Sequence, residues 1–197
     1  MKRTKPTVFL GFLVVIVFQA ACSGPSMPTE YKVKFDTSRG PFTVEVHRDW
    51  APLGSDRFYE LVTTGFYDDA RFFRIVPKFV VQFGISKDPK VSAHWREMNI
   101  PDDAVHEKNL RGYLTYAMGG RDTRTTQVFI NLVDNVSLDT QGFSPFGRVI
   151  DGMNVVDSLY SGYGEAPQQD LIQTQGNEYL KSQFPQMDYI KTAKIEN

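Results

Sequence analysis

Arg74 and Gln82 lie within FFRIVPKFVVQFG, Phe72 to Gly84, which is almost entirely apolar, and Gln127 opens a second apolar stretch, QVFINLV. A guanidinium is costly to bury without partners, so an arginine in such a run calls for an explanation. In a strand, residues two apart share a face. Val80 and Gln82 therefore point one way while Phe79, Val81 and Phe83 point the other, and Gln127 and Phe129 share a face opposite Val128 and Ile130. Each glutamine thus stands beside an apolar partner, and Arg74, on a third short strand, adds a permanently charged donor fork. A packed core has no use for a surface that is half apolar and half hydrogen-bond donor, whereas a ligand site does. The alternative is an arginine that lays its stem along apolar surface and keeps its head in water.

Other chemistries find no centre. The 3 histidines, His47, His94 and His106, are far apart and share no metal-ligand spacing, so neither a metal nor another cofactor is expected. DNVSLDTQG holds Asp134 and Asp139 without the spacing of a calcium loop and reads as a turn. MGGRDTRTTQ lacks the Gly-Lys-Ser/Thr ending of a phosphate loop. There is no Gly-x-Ser-x-Gly, and the single cysteine, Cys22, belongs to the N-terminal segment, so nucleophilic catalysis is not expected. PDDAVHEK reads as a solvated charged loop. A net charge of −1 is too neutral to suggest nucleic acid as a partner.

The elements that would hold the donors are mostly strands. With 15 Phe and 9 Tyr against 2 Trp, and Val and Phe crowded into short segments, the composition favours a sheet-rich core. YKVKF and FTVEV alternate around the turn DTSRGP and predict an opening hairpin. SDRFYELVTTGFY places Phe58, Leu61 and Val62 on one helical face, with Ser55 or Asp56 able to cap its start and Gly65 able to stop it. The Arg74 segment supplies two short strands broken at Pro77-Lys78. Ile85 to Gly112 shows no clean periodicity and is expected as a long irregular connection. YLTYAM, QVFINLV and FGRVI predict three more strands and GMNVVDSL a short helix. GYGEAPQQ reads as loop, GNEYLKSQF as a short helix and MDYIKTAKI as a last strand.

The N-terminus has the layout of a secretory signal: basic Lys2, Arg3 and Lys5, the apolar VFLGFLVVIVF, then the small residues of QAACSG. The apolar run is well short of the ~20 residues that cross a bilayer. Cys22 follows Ala20-Ala21 and resembles the lipid-modified cysteine of bacterial lipoproteins, although Gln19 stands where an aliphatic residue is usual; the other reading is a secreted protein cut nearby, for instance after Ser23. The expected organisation is a signal peptide over residues 1–21, a linker over 22–30 and one domain over 31–197. The expected location is exported, periplasmic or at the cell envelope, with a lipid on Cys22 as membrane anchor.

FFRIVPKFVVQFG, TTQVFINLVDN and FGRVIDGMNVVDSL, in this order and spacing, resemble the signature segments of the cyclophilin family of peptidyl-prolyl cis-trans isomerases. The likeness runs from about Tyr31 to the C-terminus. It implies a mainly β fold, a closed eight-stranded antiparallel barrel with two capping α-helices, acting as a monomer on proline-containing polypeptides. Arg74 matches the family's catalytic arginine, with Gln82 beside it. Phe79, Val80, Ala117, Met118, Gln127, Phe129, Leu138 and Phe143 match positions lining the proline pocket and groove. Val80 stands where Met is usual, Met118 where Asn is usual, Phe143 where many members have His, and Phe73 replaces the His that often precedes the arginine. Ser137 falls at a Trp position associated with tight cyclosporin binding, so that binding is expected to be weak. Arg121 and Arg124 stand in a loop that borders a second pocket in relatives, where they would favour acidic residues before the proline; two solvated arginines are the other reading.

The implied activity is rotation about Xaa-Pro bonds in exported proteins as they fold; a non-catalytic proline-peptide module or chaperone on the same fold is the alternative. Amide resonance opposes that rotation by ~18 to 20 kcal/mol. In the planar ground state the prolyl nitrogen accepts nothing, whereas in the twisted transition state its lone pair localises, so a donor aimed there binds the transition state selectively.

Overall fold

The computed structural model describes residues 1–2 and 27–196. The proposed signal peptide and Cys22 lie outside the described residues, apart from Met1 and Lys2. Strand β1 (Glu30–Thr37) pairs with β2 (Gly40–His47) in the expected hairpin, in continuous register from Glu30 opposite His47 to Thr37 opposite Gly40. Tyr31, Val33 and Phe35 are buried beside Phe42, Val44 and Val46, while Lys32 and Lys34 face outward. The period-two pattern thus fixes which face meets the core.

Helix α1 (Pro52–Thr63) follows, with proline in its first turn and Phe58, Leu61 and Val62 buried. Neither Ser55 nor Asp56 caps it. Asp103 does so from a distant loop, accepting from the backbone N–H of Leu53 at 3.0 Å and of Gly54 at 2.9 Å. Asp56 instead pairs with Arg48 at 2.6 Å.

The remaining strands are β3 (Arg74–Val76), β4 (Val80–Phe83), β5 (Tyr113–Tyr116), β6 (Val128–Asn131), β7 (Pro145–Asp151) and β8 (Ile190–Glu196). All eight form one curled antiparallel sheet in the order β3-β4-β6-β5-β7-β2-β1-β8. Its inner face encloses a core with Phe35, Phe42, Phe58, Phe83, Leu114, Ile130 and Phe146 at or near zero exposure. The end strands β3 and β8 are not paired as strands. The residues leading into them are: Asp69 N donates to Ile190 O at 2.8 Å, Ile190 N to Ala70 O at 2.9 Å, and Phe72 N to Asp188 O at 3.1 Å.

Two capping helices were expected, but the described residues hold five α-helices and a 3-10 turn. Helix α2 (Pro89–Arg96) interrupts the connection that was expected to be irregular. It is a single short amphipathic piece, capped by Asp88, which accepts from Lys90 N at 2.8 Å, and it buries only Ser92 and Trp95. Two buried positions are too few to show a period. Helix α3 (Met153–Asp157) lies where GMNVVDSL predicted it. Helices α4 (Gln169–Gln175) and α5 (Asn177–Gln183) form a separate lobe whose Ile172 and Leu180 pack with Phe73, Ile85 and Met187. The position before Arg74 is therefore apolar because it anchors this lobe.

Candidate functional site

The β3–β4 ladder sets Arg74 opposite Gln82, and the β4–β6 ladder sets Gln82 opposite Phe129. Val81, Phe83, Val128 and Ile130 enter the main core. Val80 and Phe129 face the other way and join Leu138 in a small apolar cluster against which Phe79, Ala117 and Phe143 pack. The alternation expected from the sequence holds with one exception. Phe79 was placed with Val81 and Phe83 on the inner face, but it precedes β4, in a turn where Lys78 has a φ of 60°, and that turn swings its ring onto the outer cluster. Its carbonyl is held there by Leu132 N at 2.9 Å and Asn135 Nδ2 at 3.0 Å.

A chain of side-chain hydrogen bonds crosses the sheet beside this cluster. Arg74 Nη1 donates to Gln82 Oε1 at 3.2 Å, and Gln82 Nε2 donates to Gln127 Oε1 at 2.8 Å. Gly84, with a φ of 107°, makes this approach possible, because a Cβ there would stand 2.4 Å from Thr126 O. The guanidinium lies 5.7 Å from the centre of the Phe79 ring. On its other edge, Nε donates to Glu165 Oε1 at 2.6 Å, and Nη2 is 2.6 Å from the same oxygen. No feature of GYGEAPQQ marked Glu165 in the sequence.

The far wall rests on buried asparagines. Asn135 Nδ2 donates to Asn131 Oδ1 at 2.8 Å, and Asn131 Nδ2 to Tyr113 O at 3.0 Å. Asn109 Nδ2 donates to Asp139 Oδ1 at 2.8 Å and to Phe143 O at 2.9 Å, which fixes the 3-10 turn (Val136–Gln141) carrying Leu138. A satisfied network of this kind makes the wall rigid.

These elements enclose a groove of about 570 Å³. Arg74, Phe79, Val80, Gln82, Ala117, Met118, Gln127, Phe129, Leu138 and Phe143 all line it, joined by Gly119, Thr123, Thr125, Gln141 and Gln169. The structure thus brings together every residue that the resemblance assigns to catalysis or to the proline pocket and groove. Arg74 is the only ionisable group among these lining residues. Ser137 is exposed on the 3-10 turn and is not among them. Among the described residues no three metal-ligating side chains come together.

The two loop arginines separate. Arg121 is exposed, but Arg124 is buried, its Nη1 3.0 Å from Asp103 Oδ2 and its Nε 3.3 Å from Asp102 Oδ1, and it also donates to Pro101 O. Arg124 therefore ties down the Asp103 loop and cannot greet a substrate carboxylate. The same contacts correct the reading of PDDAVHEK as solvated, since Asp103 is buried between Arg124 and the start of α1.

The family model described as "Cyclophilin type peptidyl-prolyl cis-trans isomerase/CLD" matches residues 32–177. Peptidyl-prolyl cis-trans isomerase A of Dickeya dadantii is 34% identical over 155 residues, 74% of this chain and 80% of that protein. A peptidyl-prolyl cis-trans isomerase of Acinetobacter baylyi is 32% identical over 133 residues, 64% of this chain and 70% of that protein. Among solved structures, a cyclophilin type peptidyl-prolyl cis-trans isomerase of Cryptosporidium parvum superposes with a TM-score of 0.64 at 20% identity, covering 85% of this chain and 98% of that one. A second structure of it, in the presence of the dipeptide Ala-Pro, gives a TM-score of 0.63 at 21% identity, covering 84% and 99%.

Proposed function

The chain belongs to the cyclophilin-type peptidyl-prolyl cis-trans isomerases, and from that premise we propose that Arg74 supplies the catalytic hydrogen bond of the isomerisation. The observation that carries this reading is the Arg74–Gln82–Gln127 chain, which holds a permanent donor at the edge of an apolar floor. A substrate proline rests on Val80, Phe129 and Leu138, with the Phe79 ring at the side of that floor and Arg74 facing the prolyl bond. As the bond twists, the lone pair of the prolyl nitrogen localises and Arg74 donates to it, which lowers the barrier without any bond being made or cut.

Magnitudes apportion the work. An acceleration of about 10⁵ corresponds to ~6.8 kcal/mol. One charge-assisted hydrogen bond supplies ~1.5 to 3 kcal/mol. The remainder is orientation and exclusion of water, which a preformed apolar pocket with a rigid far wall provides.

The wider reading is an isomerase for exported proteins as they fold, carried as one domain over residues 31–197 behind a signal peptide and anchored through a lipid on Cys22. It is supported by the basic, apolar and small-residue order of the N-terminus. A monomer suffices, because one chain supplies every residue of the groove. We also read the curled sheet as a closed barrel, on the strength of the hydrogen bonds between residues 69–72 and 188–190 that span its two end strands.

The activity is tested by following cis/trans exchange of an Xaa-Pro peptide by NMR with the purified domain. Acceleration at catalytic concentration supports the reading, and exchange at the uncatalysed rate removes it. Mass spectrometry of the mature N-terminus decides between a lipidated Cys22 and a cut at another residue.

A further inference from the structure

Arg74 sits on a strand of three residues at one end of the sheet, and its side chain is long and rotamer-rich. A donor that must meet a lone pair at one moment of a rotation gains from being fixed beforehand. Gln82 and the Phe79 ring constrain it from the sheet side. The opposite side would be open if β3 were a bare edge, but the segment around Gly164 covers it.

That segment is built to arrive there. Ile75, next to Arg74, donates its N–H to Gly164 O at 3.2 Å, so the loop runs along the free edge of β3. Turns closed by Gly164 N to Ser161 O at 3.0 Å and Ala166 N to Tyr163 O at 2.9 Å fix the backbone on both sides of Glu165. The Tyr163 ring packs edge-on against Tyr160 and Phe184, each at 5.0 Å, and joins the cluster that holds Phe73. Phe73 thus docks the lobe and Arg74 receives its carboxylate.

The contact commits one edge of the guanidinium. Glu165 Oε1 takes the Nε side at 2.6 Å while Gln82 takes Nη1 at 3.2 Å. At least one N–H on each terminal nitrogen stays uncommitted. The carboxylate also offsets part of the positive charge, which would weaken the arginine as a point charge. For this reaction direction outweighs net charge, because the acceptor is a neutral nitrogen lone pair whose bond depends steeply on angle.

Resting on the assignment of Arg74 as the donor to the prolyl nitrogen, we infer that Glu165 is a positioning residue for the isomerisation, holding Arg74 in the orientation that serves the transition state. An ion pair whose carboxylate side chain is 63% exposed contributes little to folding, so its loss is read in catalysis instead.

The test measures kcat and KM separately by exchange NMR on an Ala-Pro tetrapeptide, with Glu165→Ala and Glu165→Gln made in the wild type and in Arg74→Ala, and thermal unfolding recorded for each. The expected result is a kcat lower by about tenfold in Glu165→Ala with KM unchanged. Glu165→Gln, which keeps an acceptor oxygen, retains more of kcat, and neither change matters once Arg74 is alanine. The inference is overturned if kcat of Glu165→Ala equals or exceeds that of the wild type, if the loss lies in KM, or if it is as large without Arg74. If Arg74→Ala itself matches the wild type, the assignment of Arg74 fails and the inference with it, a result distinct from the others because they leave Arg74→Ala impaired.

Discussion

Gln82 stands directly across the ladder from Arg74 and is bonded on both sides, accepting from Arg74 Nη1 at 3.2 Å and donating to Gln127 Oε1 at 2.8 Å. Its amide is therefore oriented before any substrate arrives. Gln82→Ala removes the acceptor and frees Arg74 on the sheet side. We expect kcat/KM to fall by about tenfold, the lower end of what one hydrogen bond to a charged group is worth, because Gln82 acts through Arg74. Exchange rates on the same peptide check it, and an unchanged rate would show that Gln82 has no part in orienting the arginine.

Asp103 and Arg124 carry a prediction about stability. Both side chains are 3% exposed, and Asp103 also caps α1. Asp103→Ala takes from Arg124 its buried carboxylate, leaving it only Asp102 and Pro101 O, and uncaps a helix together, so a loss of ~3 to 5 kcal/mol is expected in urea unfolding. A loss below about 1 kcal/mol, the range of an exposed pair, would mean that the pair is not buried in solution.

Phe73 tests whether the C-terminal lobe depends on the strand that carries Arg74. Its ring is 2% exposed among Ile85, Ile172, Leu180 and Met187. Phe73→Ala should cost ~3 to 5 kcal/mol and speed hydrogen exchange in α4 and α5 before the sheet. Uniform protection across both regions would contradict the assignment of a separate cluster.

The pH dependences of rate and stability should separate. No histidine lines the groove, so the rate is expected to be flat between about pH 6 and 8. A steep bell-shaped profile there would argue against donation by Arg74. Stability has an acid limb to which Glu45 contributes. Desolvation raises its pKa, but the hydrogen bonds from Arg148 and His47 outweigh that and leave it below the ordinary value of 4.5. A depressed pKa means that the stabilisation is present above the unfolded value and is lost as pH falls through the folded one. Glu45→Gln should therefore make the midpoint of thermal unfolding less dependent on pH below about 5.

The two faces of β4 and β6 were legible in the sequence because strand alternation is local: Val81 and Phe83 inward, Val80 and Gln82 outward. Phe79 was misassigned because alternation stops at the left-handed Lys78. Helix α2 was missed because eight residues with one buried aromatic show no period. Asp103 and Glu165 were missed for a different reason. The groups that Asp103 caps lie 50 and 49 positions away, and Glu165 meets Arg74 across 91 positions, so each acquires its partner only when the fold closes. Residues that carry their own pattern can be read from the chain, and residues defined by a distant partner cannot.

In the mechanism proposed, Arg74 donates to the twisted amide nitrogen and contributes little to holding the peptide. The direct test is exchange NMR on an Ala-Pro tetrapeptide with Arg74→Ala, giving the exchange rate and the binding constant in one titration. We expect a rate roughly 10- to 150-fold lower, as one charge-assisted hydrogen bond would set, with peptide affinity nearly unchanged. Wild-type exchange with Arg74→Ala, or a loss explained entirely by weaker binding, would contradict it.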